Sequence, residues 1–375
     1  MAKPAITNRT ARPSQTGVLG TNGGATVIPA LWAKKKYFTQ QGSILDQKVT
    51  IDFKKAGISN EFIKRIILRL SGTIDTGAAT AGTATGLDNP EGLLSIALLQ
   101  TNPVQQNLLP VNGVSGRGFR WDRGVQRGRL IAYSAITDGS GVIAVNFEYE
   151  IFQQRRGNFP HGVRQAVEYG LDSSKYQSIV LTLTFGGKSA LFTGSPTNIW
   201  DGAGLVLEMF LEVGYLTYPP GLHATEIYEQ VFPVTANGDF LINQLPAGCF
   251  YDEIILLTEK DNLLTDGIID NIDVEGAGRT WMPAGDNNAN FIRDILSTDA
   301  FDGSVSIANL AGAYVIENEP DGSFLRAIDA RNSQILIKPH VVGWVTGHPT
   351  NLRLICRKVV PYGVMQKGAA GTDRS

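Results

Sequence analysis

Between Val142 and Phe152 apolar and polar residues alternate strictly. Ile143, Val145, Phe147, Tyr149 and Ile151 fall on one face; Asn146, Glu148 and Glu150 fall on the other. A period of two means an extended strand with one buried and one polar face. The same signal recurs at Val49–Phe53, Phe62–Ile74, Leu93–Leu99, Arg127–Ile136, Ser178–Phe185 and Leu205–Leu216. Asp138-Gly139 and Ser140-Gly141 mark a tight hairpin. Tyr218-Pro219-Pro220-Gly221 is the strongest breaker in the chain. After it strands resume at Ile227–Val234, Phe240–Leu245, Phe250–Thr258, Val305–Ile307, Ala313–Ile316, Gln334–Ile337, His340–Thr346 and Leu352–Val360. Residues 259–289 have weak periodicity and read as a long excursion.

Helical signals are few. Pro29 in a first turn and Gly42 just past an end punctuate a short helix rich in Trp32, Lys34, Lys35, Lys36, Tyr37 and Phe38. Phe159–Leu171 reads as a second helical turn, and Asn290 caps a third ahead of Phe291, Ile292, Ile295 and Leu296. Helices that do not alternate with strands exclude a βαβ sheet. The expectation is an all-β protein: two consecutive eight-stranded antiparallel jelly rolls, a double jelly roll, with a few short helices. The divisions are an N-terminal arm with a short helix over 1–45, a first jelly roll over 46–217, a second over 223–362 and a C-terminal tail over 363–375.

Composition narrows the function. No apolar run approaches the ~20 residues of a membrane-spanning helix, and the first ten residues show no apolar signal region. The two cysteines, Cys249 and Cys356, sit in strand-like context and read as buried reduced thiols; two are too few for a disulfide framework or an all-cysteine zinc site. Net charge is −2, which argues against coating nucleic acid. Its distribution is uneven. Residues 1–45 carry Lys3, Arg9, Arg12 and Lys34–Lys36 with no acid. Residues 201–303 carry 18 acids against Lys260, Arg279 and Arg293, a net −15. Such asymmetry suits an electrostatic partner, a neighbouring copy of the chain included, or an exposed solvated surface.

Catalytic motifs fail on inspection. Gly186-Gly187-Lys188-Ser189 lacks the upstream glycine of a phosphate loop, where Thr182 stands instead. His161, His223, His340 and His348 form no metal-ligand pattern. Glu148 and Glu150 share a strand face, yet pairs of that kind are ordinary on solvated strands. Glu259, Asp261, Asp266, Asp270, Asp273 and Glu275 cluster, but without the order of a calcium loop. No catalytic residue, cofactor or metal ligand is therefore assigned. Arg117, Arg120, Arg123, Arg127 and Arg129, with Phe119 and Trp121 between them, form a basic stretch. It reads as a loop docking on acids of another subunit rather than as a nucleic-acid platform.

The order of elements resembles one family. The N-terminal arm with a short helix up to Gly42, the early strand Glu61–Ile74, the alternating strand Gly141–Phe152, the helical segment 159–171, the strand Ser178–Phe185 with the segment Ala190–Gly194 after it, and the closing strand Leu352–Val360 are similar to the double jelly-roll major capsid proteins of tailless icosahedral bacteriophages with an internal membrane. The resemblance spans residues 30–362 and contains no signature motif. It implies a structural subunit of the virion, made in the host cytoplasm. Pseudo-hexagonal homotrimers would tile an icosahedral shell beside neighbouring trimers and vertex or minor capsid proteins. It implies no enzyme activity and no sequence-specific nucleic-acid binding. The N-terminal region would face the membrane, where Trp32, Lys34, Lys35, Lys36, Tyr37 and Phe38 suit peripheral contact with an anionic bilayer. A glycan-active enzyme, or a glycan-binding or adhesin protein, built on two jelly rolls is the alternative.

Overall fold

The structure, a computed structural model, describes residues 33–42, 44–59, 61–75, 93–103, 108–127, 130, 142–153, 171–187, 205–214, 223–243, 245–276, 279–282, 310–318 and 328–361. In chain order the elements are β1 (Ala33–Gln41), β2 (Lys48–Asp52), β3 (Phe62–Asp75), β4 (Leu94–Pro103), β5 (Leu108–Val114), the helix α1 (Gly116–Arg127), β6 (Val142–Gln153), β7 (Leu171–Asp172), β8 (Tyr176–Phe185) and β9 (Val206–Gly214). There follow β10 (His223–Val234), β11 (Gly238–Asp239), β12 (Phe250–Lys260), β13 (Leu263–Leu264), β14 (Ile269–Gly276), β15 (Arg279–Met282), β16 (Ala313–Asn318), β17 (Ile328–Asp329), β18 (Ile335–Val341) and β19 (Thr350–Pro361).

Three sheets build two sandwiches. A five-stranded sheet has the order β1-β9-β3-β6, with β7 beside β3. A ten-stranded sheet has the order β13-β12-β19-β10-β5-β4-β8-β2, with β16 and β17 on β12. A four-stranded sheet has the order β11-β18-β14-β15. The long sheet runs through both sandwiches. Its halves join where β10 pairs with β5 in parallel, Ile227 beside Val111 and Tyr228 beside Asn112. Every other strand pairing among the described residues is antiparallel, as local return connections favour.

The side-chain alternation shows which face covers which core. Val111, Ile227, Ile255, Leu257 and Ile355 join the first apolar core, with Leu68, Leu70 and Met209 of the five-stranded sheet. Their sequence neighbours Tyr228, Ile254, Leu256, Leu354 and Cys356 join the second, with Ile272, Val274 and Ile337 of the four-stranded sheet. The two smaller sheets therefore lie against opposite faces of the shared one. On β12 both faces are buried, all nine residues from Tyr251 to Glu259. Its inner face meets the four-stranded sheet. Its other face, with Ile255 and Leu257, packs in the first core, which Phe119, Trp121 and Val125 of α1 also join.

The registers also fix which strand ends lie together. Ala33 pairs with Val213, Phe62 with Gly214, Arg65 with Gln153 and His223 with Pro361. Lys54 and Lys55, in the turn after β2, are exposed at this same end, as is Arg331, which stacks 4.6 Å over the Phe250 ring. The opposite end carries exposed Asp46, Asp239, Asp261 and Asp266. The described chain thus enters and leaves at one end, the more basic of the two.

Three expectations change. Residues 33–41 form a strand rather than a helix, paired with β9 along its length with a bulge between Lys36 and Phe38. A nine-residue helix with a narrow apolar face gains little alone. As an edge strand the segment gains a hydrogen-bond ladder and buries part of Tyr37 and Phe38 against the core. Within the expected arm of 1–45, β1 thus stands in the five-stranded sheet. The excursion at 259–289 holds β13, β14 and β15. A bulge between Ile269 and Asn271 breaks the period, so Ile269, Ile272 and Val274 face inward at unequal spacing. Gln334–Ile337 and His340–Thr346 belong in part to one strand, β18, which passes through Pro339. The helical readings at 159–170 and 290–296, the hairpin at 138–141, the segment 190–194 and the strand at 305–307 lie outside the described residues, and Leu171 opens β7.

Candidate functional site

Helix α1 begins at Ser115, whose Oγ accepts the backbone N–H of Gly118 at 3.1 Å while its carbonyl accepts that of Phe119 at 3.0 Å. This is an N-cap with a serine in its favoured place. The first turn has no acid of its own. Glu229 of β10 supplies one. Its Oε2 accepts both the N–H and the hydroxyl of Ser115 at 2.8 Å, setting a carboxylate at the positive end of the helix dipole. Gly118 makes room: a Cβ there would collide with that carboxylate and come within 2.8 Å of Val114 Cγ1.

From this cap a chain of buried charges crosses the seam. Arg353 of β19 pairs with Glu229 and grips Glu259 of β12 with two bonds, Nε to Oε1 at 2.7 Å and Nη2 to Oε2 at 3.1 Å. Arg117 of α1 pairs with the same Glu259 and donates from Nη2 to the Asn262 carbonyl at 2.8 Å. That carbonyl belongs to a two-residue hairpin, Asp261 and Asn262, both at positive φ, between β12 and β13. One turn further along α1, Asp122 pairs with Arg357 of β19. Arg123 reaches back to Glu150 of β6 at 3.4 Å, and Glu150 accepts from Arg65 of β3 at 2.5 Å. Among these charges Phe119, Trp121 and Val125 of α1 share one buried cluster with Ile227, Ile255, Leu257 and Ile355.

Burial raises the pKa of a carboxyl and lowers that of a base, so a charged pair in such a place must overcome desolvation. Here it does. Burial pushes Glu259 up, but the Arg117 charge and the Arg353 hydrogen bonds outweigh it and hold the carboxyl below the ordinary glutamate value. Burial likewise pushes Asp122 up, and the charges of Arg357 and Arg123 bring it below the ordinary aspartate value. Arg353 and Arg357 resist burial through their carboxylates and are held above the usual arginine value. The site is a structural joint: arginines and carboxylates pair where side chains of the helix in one sandwich meet those of strands in the other.

The basic stretch is thereby corrected in part. Arg117 and Arg123 are buried inside their own chain and meet acids of the same molecule, so they are not a surface for another subunit. Arg120 is half-buried on α1; Arg127 ends the helix, and Arg129 lies outside the described residues. The expected strand at 127–136 begins within that helix. In the N-terminal group, Lys36 Nζ meets Glu208 at 3.0 Å, Tyr37 donates its hydroxyl to Glu61 at 2.7 Å, and Phe38 lies against the first core. Lys34 and Lys35 stand in β1, and Trp32 lies outside the described residues.

The acidic cluster at 259–275 does not converge. Glu259 faces arginines, Asp261 faces His348 at 2.8 Å, and Asp266 accepts the Gly312 N–H at 2.7 Å. Asp270 faces His340 at 2.8 Å, and Glu275 faces Lys338 at 2.7 Å. Glu148 is exposed while Glu150 is buried beneath α1. Burial pushes both cysteine thiols up. Sequence reasoning missed Glu229, Glu259, Arg353 and Arg357 as one site. The one local signal for its helix was Ser115 before a mixed apolar and basic run.

No family model and no curated protein matches the sequence. Solved structures do. The chain is similar to the major capsid protein of Sulfolobus turreted icosahedral virus, at TM-score 0.63 and 13% identity over 88% of this chain and 97% of that one. It is similar to the major capsid protein P2 of bacteriophage PM2, at TM-score 0.56 and 11% identity over 88% and 97%. It is similar to the Faustovirus major capsid protein, at TM-score 0.53 and 9% identity over 92% of each. These neighbours are shell proteins rather than enzymes. The fold is the double jelly roll of major capsid proteins.

Proposed function

We propose that this chain is a non-enzymatic subunit of an icosahedral virus shell, assembling with copies of itself in the virion. The observation that carries this reading is the likeness to capsid proteins over nearly their whole length. Two sandwiches in one chain give a homotrimer six similar lobes, hence near-sixfold packing from threefold symmetry. Contact between unlike sandwiches is heterologous and closes into a ring. The acidic 201–303 block and the basic remainder favour that head-to-tail order over head-to-head. A hexagonal outline also needs a fixed angle between the sandwiches, and the α1 joint supports one. The units divide between residues 217 and 223, with 46–217 in the first, 223–362 in the second, and a tail over 363–375. Vertex and minor capsid proteins complete the shell, and synthesis is in the host cytoplasm.

The basic end of the molecule, where the described chain begins and finishes, suits an inward face over an anionic membrane. The contact is peripheral, through residues 1–32 together with Lys34, Lys35, Lys54 and Lys55. The test is electron microscopy of the expressed protein together with liposome flotation. The full chain gives pseudo-hexagonal arrays or shells and binds anionic vesicles at low salt. Removal of residues 1–32, which leaves β1 in place, preserves trimers and weakens vesicle binding. Arrays without hexagonal order would contradict the shell reading. Undiminished vesicle binding by both the truncated chain and one with Lys54 and Lys55 changed to glutamate would contradict the membrane reading.

A further inference from the structure

We propose that α1 is an acid-releasable latch, a helix of the first sandwich held on the second by carboxylates whose protonation frees it while both sandwiches stay folded.

Two observations carry this. Among the described residues, strand pairing between the sandwiches is confined to β5–β10, Ile227 with Val111 and Tyr228 with Asn112, beside which Ile227, Ile255, Leu257 and Ile355 pack in the first core. The strand ladders of the two sandwiches do not pass through α1, although Phe119, Trp121 and Val125 of the helix pack in the first core. The polar links from α1 to the second sandwich, in turn, all involve charge. Arg117 faces Glu259, Asp122 faces Arg357, and the Ser115 cap faces Glu229.

The titratable and charged groups around the helix come from every element against it. On α1 itself these are Arg117, Arg120, Asp122, Arg123 and Arg127. From β10 comes Glu229; from β12 come Asp252, Glu253 and Glu259; from β19 come Arg353 and Arg357. From the first sandwich come Glu150 of β6, with Arg65 of β3 and Glu212 of β9 behind it. Among the described residues no histidine enters these pairs, and acid acts on them through their carboxyls.

The direction follows from linkage. Glu259 and Asp122 lie below their ordinary values, so their stabilisation is present above those values and lost as pH falls through the folded ones. Arginine stays charged throughout. Once Glu259 and Asp122 take up protons, Arg117, Arg353 and Arg357 each lose a buried counter-charge, a state relieved by admitting water. The seam opens first because its polar groups are the ones left unbalanced. The neighbouring cores are held by apolar contacts that protonation leaves alone.

Hydrogen exchange on the full chain, corrected for the intrinsic pH dependence of the rate, tests this. From pH 7 to about pH 3.5, amides of 117–127 are expected to exchange about tenfold faster, while those of β3, β8 and β12 change by about twofold or less. Glu259→Gln, which imitates protonation, should bring the fast α1 exchange to pH 7. The wild-type series decides the matter alone should that variant fail to fold. Helix and strands losing protection together at one pH, or α1 staying protected until the strands open, would overturn the latch.

Discussion

Glu229 and Ser115, 114 positions apart in sequence, meet through two hydrogen bonds of 2.8 Å, so the carboxylate of one sandwich caps the helix of the other. The cap works only because residue 118 has no side chain. Gly118→Ala improves helix propensity in isolation. Here its methyl would enter the space of the Glu229 carboxylate, which Ser115 and Arg353 hold in place. The substitution is expected to destabilise by about 1–3 kcal/mol, the usual cost of overpacking. A denaturant midpoint unchanged or raised would show that the carboxylate moves freely.

Asp122 and Arg357 offer a sharper contrast. Their side chains are 1% and 5% exposed. Arg357→Met alone leaves Asp122 buried beside carboxylates, and a loss of about 3–5 kcal/mol is expected. Asp122→Leu combined with Arg357→Met should recover most of it, because an apolar pair of similar volume has no charge to desolvate. Additive losses in the double-mutant cycle would mean that the two residues are not coupled.

That pairing also marks what could be read in the sequence. Strands β3, β6, β8, β12 and β19 were legible because alternation is local and each has at least one apolar face. Helix α1 was not. Gly116, Gly118 and Gly124 lower its propensity, and the partners that hold it, Glu229, Glu259 and Arg357, lie more than 100 residues away. Neither was the order of charges. Arg117 meets Glu259 across 142 positions, a partnership set by the registers of distant strands. The N-terminal lysines misled for a related reason. Pro29 and Gly42 punctuate a helix, but the backbone of β9 decides the outcome.

Lys36 and Glu208 form the surface counterpart, 3.0 Å apart with side chains 51% and 17% exposed. Solvent and salt screen such a pair. Lys36→Ala is expected to cost less than ~1 kcal/mol, and less still at high salt. A larger, salt-independent loss would mean that the lysine stem packs against more than its charge partner.

His340 should report pH from the surface. The hydrogen bond to Asp270, then the charges of Asp270 and Asp239, hold its pKa above the ordinary histidine value. Raised in the folded state, it stabilises at pH below that ordinary value and loses the contribution as pH rises through the folded one. NMR titration of the ring should give a midpoint above ~6.5, returning toward ~6.5 in Asp270→Asn. A midpoint at or below that value in the native chain would contradict the contact.

The claim that the chain is a shell subunit bears most directly on its mass in solution. Sedimentation equilibrium of the purified full chain at moderate salt should give a particle of three chains, each of 40.5 kDa, stable on dilution. A monomer at all concentrations, with the sandwiches folded, would contradict it.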